Sequence, residues 1–149
     1  MEDKQLISEL NRILTLEHGH LGMYRDFIDH EEKEIRRTFR RFSEIEAEHV
    51  EKVKSILYNL GAKPSLVVEG GDIIGSLFGF TINKAASIRD IIKIYSAIEK
   101  KSHEGYAAFV SKIEQDADNR NRFLAEIVSS NMLESHLMHL WLEDKLKTM

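Results

Sequence analysis

The sequence predicts an all-α fold: a four-helix bundle running up, down, down, up, with a long crossover between its second and third helices. Three observations point there. Only one proline, Pro64, occurs in 149 residues, and proline is the residue that most strongly breaks a helix. Four long stretches carry apolar residues every third or fourth position, the period of an amphipathic helix. Five of the eight glycines, Gly61, Gly70, Gly71, Gly75 and Gly79, fall in one segment between the second and third stretches.

The first stretch, expected as a helix over residues 3–30, has Leu6, Leu10, Ile13, Tyr24 and Phe27 on one face. A charged break at 29–34 leads to the second, 34–60, with Ile35, Phe39, Phe42, Val53, Ile56 and Leu60. Gly61 ends it, with Pro64 just beyond, a normal helix stop. The third, 87–114, uses Ile88, Ile92, Tyr95, Tyr106, Phe109 and Ile113. A polar break at 116–121 precedes the fourth, 121–146, with Leu124, Ile127, Met138 and Trp141. The short breaks make each pair an antiparallel hairpin. The crossover, 61–87, is long enough to return the chain to the far end of a bundle, and a short helix is expected near 73–80. All 149 residues are expected to form one domain.

Composition narrows the function. A net charge of -4 and arginines (Arg36, Arg37, Arg40, Arg41) interleaved with glutamates read as a solvated, salt-bridged helix face in preference to a nucleic-acid patch, and no nucleic-acid partner is expected. The absence of cysteine excludes disulfides, zinc-thiolate and iron-sulfur sites. The charged start lacks the apolar run of a signal peptide, and the longest uncharged run, residues 73–83, is too short to span a bilayer, so no transmembrane segment and a cytoplasmic location are expected.

Each inward stripe carries a glutamate at mid-helix: Ile13, Glu17, His20, Tyr24 in the first; Phe42, Glu46, His49, Val53 in the second; Tyr95, Glu99, Tyr106 in the third; Ile127, Asn131, Glu134, Met138 in the fourth. Glu17 and Glu46 are nearly equidistant from the first break, as Glu99 and Glu134 are from the second, so each pair is expected to lie level across its hairpin. Buried carboxylates are costly unless paired. Four that converge call for cations, and carboxylate oxygen with imidazole nitrogen suits iron or manganese, with zinc also admitted. Without cations the four would repel one another, which is expected to raise their pKa values. The Glu46-x-x-His49 spacing stacks carboxylate and imidazole one turn apart on one face.

On these residues the sequence resembles the ferritin-like superfamily of di-iron carboxylate bundles over nearly its whole length. The resemblance implies a site for two iron ions, with Glu17 from helix one, Glu46 and His49 from helix two, Glu99 from helix three and Glu134 from helix four as ligands. The departure is Leu137, where the family's second Glu-x-x-His places a histidine. His20, three residues after Glu17, is the candidate replacement and His103 a weaker one. His136 and His139 read as surface or packing residues, and His18 and His30 as exposed. Tyr24, Tyr95 and Tyr106 read as core aromatics with partnered hydroxyls.

The implied activity is oxidation of ferrous iron or reduction of peroxide or oxygen, with an external reductant and a homodimer or higher homo-oligomer. Two other readings stay open. One is a non-catalytic bundle with a degenerate structural metal site. The other is a hydroxylase of an apolar, quinone-like substrate, prompted by the apolar crossover at 66–82.

Overall fold

A computed structural model describes residues 1–64, 87–115 and 119–149. Four helices account for almost all of them: α1 (Asp3–Arg25), α2 (Lys33–Asn59), α3 (Ile88–Glu114) and α4 (Asn119–Lys147). There is no strand among the described residues. The chain divides into two compact units, one built on α1 and α2 and the other on α3 and α4. The expected short helix at 73–80 lies outside the described residues.

Helix α1 ends earlier than expected, at Arg25. The amide groups of Asp26, Phe27 and His30 turn to carbonyls three residues back, at Met23, Tyr24 and Phe27, so residues 26–29 form successive tight turns in place of a last helical turn. Two of the clustered arginines hold this corner. Arg36 donates to the carbonyls of His30 (2.8 Å) and Glu31 (3.2 Å), and Arg40 to that of Ile28 (3.4 Å). Among the described residues the expected salt-bridged face is confined to Arg41, which pairs with Glu44 at 3.0 Å and Glu48 at 3.7 Å. At the far end of α2, Gly61 takes φ +74°. Its amide bonds to Tyr58 and that of Ala62 to Leu57, the paired bonds of a glycine C-cap.

The first hairpin has its core in layers. Leu6, Leu10, Ile13 and Leu14 of α1 occupy one end with Val53, Ile56 and Leu57 of α2. Toward the connecting turn, Tyr24 meets Phe39 and Phe42 edge-on, each at 5.3 Å between ring centres, and Phe27 meets Phe39 at 5.4 Å. Edge-to-face packing of this kind adds to the burial energy of the rings. Between the two apolar layers, on the same buried faces, lie Glu17, His20, Glu46 and His49.

The second hairpin starts at a cap. The Ser87 hydroxyl accepts the Asp90 amide at 3.2 Å and donates to the Asp90 carboxylate at 3.0 Å. Its buried line on α3 is Ile92, Tyr95, Glu99, Ser102, Tyr106, Phe109 and Ile113. On α4 it runs through Leu124, Val128, Asn131, Ser135, Met138 and Leu142. This is the expected phase for α3 but not for α4. Residues 128, 135 and 142 lie on the buried side, while Ile127, Glu134 and Trp141, one position earlier, are half-buried. The two phases cannot be separated by pattern because α4 is apolar nearly all round, with Leu133, Leu137 and Leu140 exposed.

Among the described residues no helix is long and apolar enough to cross a membrane.

Candidate metal centre

Helix α1 carries Glu17-His-Gly-His20 and α2 carries Glu46-Ala-Glu-His49, so both helices of the first hairpin present a Glu-x-x-His on the buried face. Three-residue spacing stacks the two groups of each helix. Because the helices run antiparallel, each carboxylate faces the other helix's imidazole. His49 Nδ1 lies 3.1 Å from Glu17 Oε2, and His20 Nδ1 lies 3.9 Å from Glu46 Oε1. Both pairs are centred on Lys33. The expected level pair, Glu17 with Glu46, is thereby offset by a few residues, because the tight turns after Arg25 shift the register.

Glu17, Glu46 and His49 are all but completely buried, and their ligand atoms lie within 4.8 Å of one another. His49 Nδ1 sits between both carboxylates, 3.1 Å from Glu17 and 3.4 Å from Glu46. Two donors bound at about 2.1 Å to one ion and roughly 90–110° apart are separated by about 3.0–3.4 Å. The spacing therefore fits one ion with little rearrangement. It also fits hydrogen bonds, so it is the charge that argues for a cation: two carboxylates are withdrawn from water beside the imidazoles of His20 and His49. His20 Nδ1 is buried and accepts or donates no hydrogen bond among the described residues, which leaves it open for coordination. Imidazole and carboxylate donors without thiolate suit iron, manganese or zinc.

The electrostatics of Glu17 differ from the sequence expectation. Burial works to raise its pKa, but the hydrogen bonds with Glu46 and His49 and the charges of His49 and His20 outweigh burial and hold the carboxyl far below its ordinary range. Mutual repulsion does not set the protonation of Glu17, because Glu46 and then His49 hydrogen-bond to its carboxylate and the imidazole charges add to their effect.

In the second hairpin Glu99 is fully buried on α3, as expected. Glu134 is half-buried and off the buried line of α4. It is not level with Glu99 either. Ser102 reaches Ser135 at 3.3 Å and His103 reaches the Met132 carbonyl at 3.2 Å, while Ser96 lies opposite His139 at 3.0 Å. Glu134 therefore stands opposite residues 102–103, and Glu99 opposite the following turn of α4. Of the three tyrosines, all buried, Tyr106 accepts a hydrogen bond from Asn131 at 3.2 Å.

Two histidines expected to be exposed are not. His18 is buried. His30 is half-buried and accepts the Glu32 amide on Nδ1 at 3.1 Å. Nothing in the sequence distinguishes His18 or His30 from a surface residue.

Comparison with known proteins finds no matching family model, no curated protein and no solved structure of significant similarity.

Proposed function

We propose that this chain is a four-helix, ferritin-like metalloprotein with the up, down, down, up path. In it the first hairpin supplies Glu17, His20, Glu46 and His49 to a buried site for iron, with manganese or zinc as competitors. The observation that carries the reading is the gathering of Glu17, Glu46 and His49 within 4.8 Å at full burial. Glu99 and Glu134 enter through the family resemblance, Glu99 with the added support of complete burial and Glu134 without it.

Two ferrous ions held by these residues would supply the redox chemistry, the two electrons that together with two protons convert hydrogen peroxide to two waters. The chain's own residues do the rest. Glu17 and Glu46 offset the cationic charge, and Glu17 is held deprotonated, so it is ready to ligate without first losing a proton. The imidazole of His49, between both carboxylates, orients them. Tyr24 and Phe42 lie one turn away from His20 and Glu46, with Phe39 a turn beyond, and shield the site from water on the side of the turn. The reductant that returns the protein to its starting state is an external partner.

The direct test is metal analysis of the chain purified without added metal, followed by titration with ferrous ion under anaerobic conditions and peroxide consumption. Bound iron that is lost in Glu46→Ala with His49→Ala at unchanged helical content supports the site. Equal metal content in parent and variant refutes it. A second reading, a metal site that serves structure alone, is favoured by the doubling of Glu-x-x-His on one hairpin and by the half-exposure of Glu134, both departures from the family's arrangement. It predicts metal-dependent stability without faster peroxide turnover than free iron at equal concentration.

A further inference from the structure

The second hairpin carries three histidines that the proposed centre does not use. His103 of α3 and His136 of α4 lie with ring centres 4.6 Å apart, and His136 and His139 are 6.4 Å apart along α4. All three are half-buried, so solvent reaches them while the hairpin holds them.

Their hydrogen bonds fix which nitrogen is free. His103 Nδ1 meets the carbonyl oxygen of Met132 at 3.2 Å. A carbonyl only accepts, so Nδ1 carries the proton, and in the neutral ring Nε2 presents a lone pair. His139 Nδ1 lies 3.0 Å from the Ser96 carbonyl and 3.0 Å from the Ser96 hydroxyl. That hydroxyl gives its own proton to Glu143, so both oxygens facing Nδ1 are acceptors. His139 is thereby locked in the same tautomer, with Nε2 as its donor atom. Metal-binding histidines are commonly prepared this way, the second ring nitrogen donating to a carbonyl or carboxylate. His136 makes no side-chain hydrogen bond among the described residues, and its ring is in contact with that of His103.

Two imidazoles bound through nitrogen at about 2.0–2.1 Å to one ion have ring centres about 4.5 to 6.4 Å apart as the angle at the ion opens from right to straight. The observed 4.6 Å matches a near-right angle at the ion and 6.4 Å stands at the straight limit, the angles of a square-planar ion and not of a tetrahedral one. The three ligand atoms are not gathered within 4.8 Å as those of the first hairpin are, and it is His136, which no hydrogen bond holds among the described residues, that turns to bring its nitrogen to the ion while His103 and His139 keep their bonds.

We propose that His103, His136 and His139 form a second metal site, on the α3–α4 hairpin, that takes a divalent late transition ion of square-planar preference such as copper(II). Three imidazoles without thiolate select that class over calcium or magnesium. Ser96 and Glu143 act as positioning residues, holding His139 with its lone pair outward.

The experiment is titration of the full chain with copper(II) near pH 7.5, read by calorimetry for stoichiometry and by electron paramagnetic resonance for nitrogen coupling. The parent is expected to bind a copper ion with coupling to imidazole nitrogens. His103→Gln with His136→Gln is expected to lose one ion per chain, and Glu46→Gln to retain that ion. Ser96→Ala is expected to weaken it about tenfold, as loss of an orienting partner does. Should circular dichroism show the double variant unfolded, His136→Gln alone, which breaks no hydrogen bond among the described residues, is expected to weaken binding at least tenfold. Unchanged stoichiometry and spectrum in the folded histidine variants would overturn the assignment.

Discussion

His49 Nδ1 and Glu17 Oε2 meet at 3.1 Å across the first hairpin, with both side chains essentially sealed from solvent. The contact joins residues 32 positions apart, and the mirror pair, His20 with Glu46, stands one turn away at the longer distance of 3.9 Å. Removing one partner of a buried charged pair leaves the other uncompensated. His49→Ala is therefore expected to cost about 3–5 kcal/mol, read as a shift in the urea midpoint at pH 7. His49→Gln, which keeps a donor, should cost less. A loss below about 1 kcal/mol for His49→Ala would show that Glu17 does not depend on the imidazole.

Acid should expose the same contact. The Glu17 carboxyl titrates in the folded chain below the 4.5 of the unfolded chain. Its contribution to stability is thus fully present above about pH 4.5 and is lost as pH falls toward the folded value, because the unfolded chain then binds the extra proton. Unfolding free energy measured from pH 7 down to pH 3 should fall more steeply for the parent than for Glu17→Gln. The difference can reach about 1.4 kcal/mol per pH unit, the effect of one proton. Parallel curves would mean that Glu17 has its ordinary pKa.

Phe39 is completely buried and touches the rings of Tyr24, Phe27 and Phe42. Phe39→Ala should cost about 3–5 kcal/mol, lost burial and the cavity together. Because the rings adjoin the candidate centre, amide exchange at residues 17–20 and 46–49 should also accelerate. A loss of stability with unchanged exchange there would separate the aromatic layer from the site.

Two glycines should respond to alanine with opposite sign. At Gly61 a Cβ meets no atom within 4 Å, yet φ is +74°, so Gly61→Ala should destabilise by about 1–2 kcal/mol through backbone strain alone. At Gly105, inside α3, a Cβ also meets nothing within 4 Å and no positive φ intervenes. Gly105→Ala should stabilise by about 0.5–1 kcal/mol. Thermal melts of both variants check the pair.

The helices, their pairing into hairpins, the Gly61 stop and the burial of Glu17, Glu46, His49 and Glu99 follow from the sequence by itself. Apolar periodicity and helix-ending residues are local signals, and a polar residue set in an apolar stripe inherits the stripe's burial. What only the tertiary structure decided is alignment. Glu17 stands opposite His49, not Glu46, because the chain after Arg25 turns tightly, held by Arg36 and Arg40 on loop carbonyls. These bonds cross several residues and leave no periodic trace. The phase of α4 was likewise beyond pattern. Glu134 and Ser135 lie on stripes about 100° apart, and with apolar residues on both, packing against α3 chose the stripe of Val128, Ser135 and Leu142. The row of His103, His136 and His139 depends on that same choice, since rotating α4 by one residue would carry His136 away from His103.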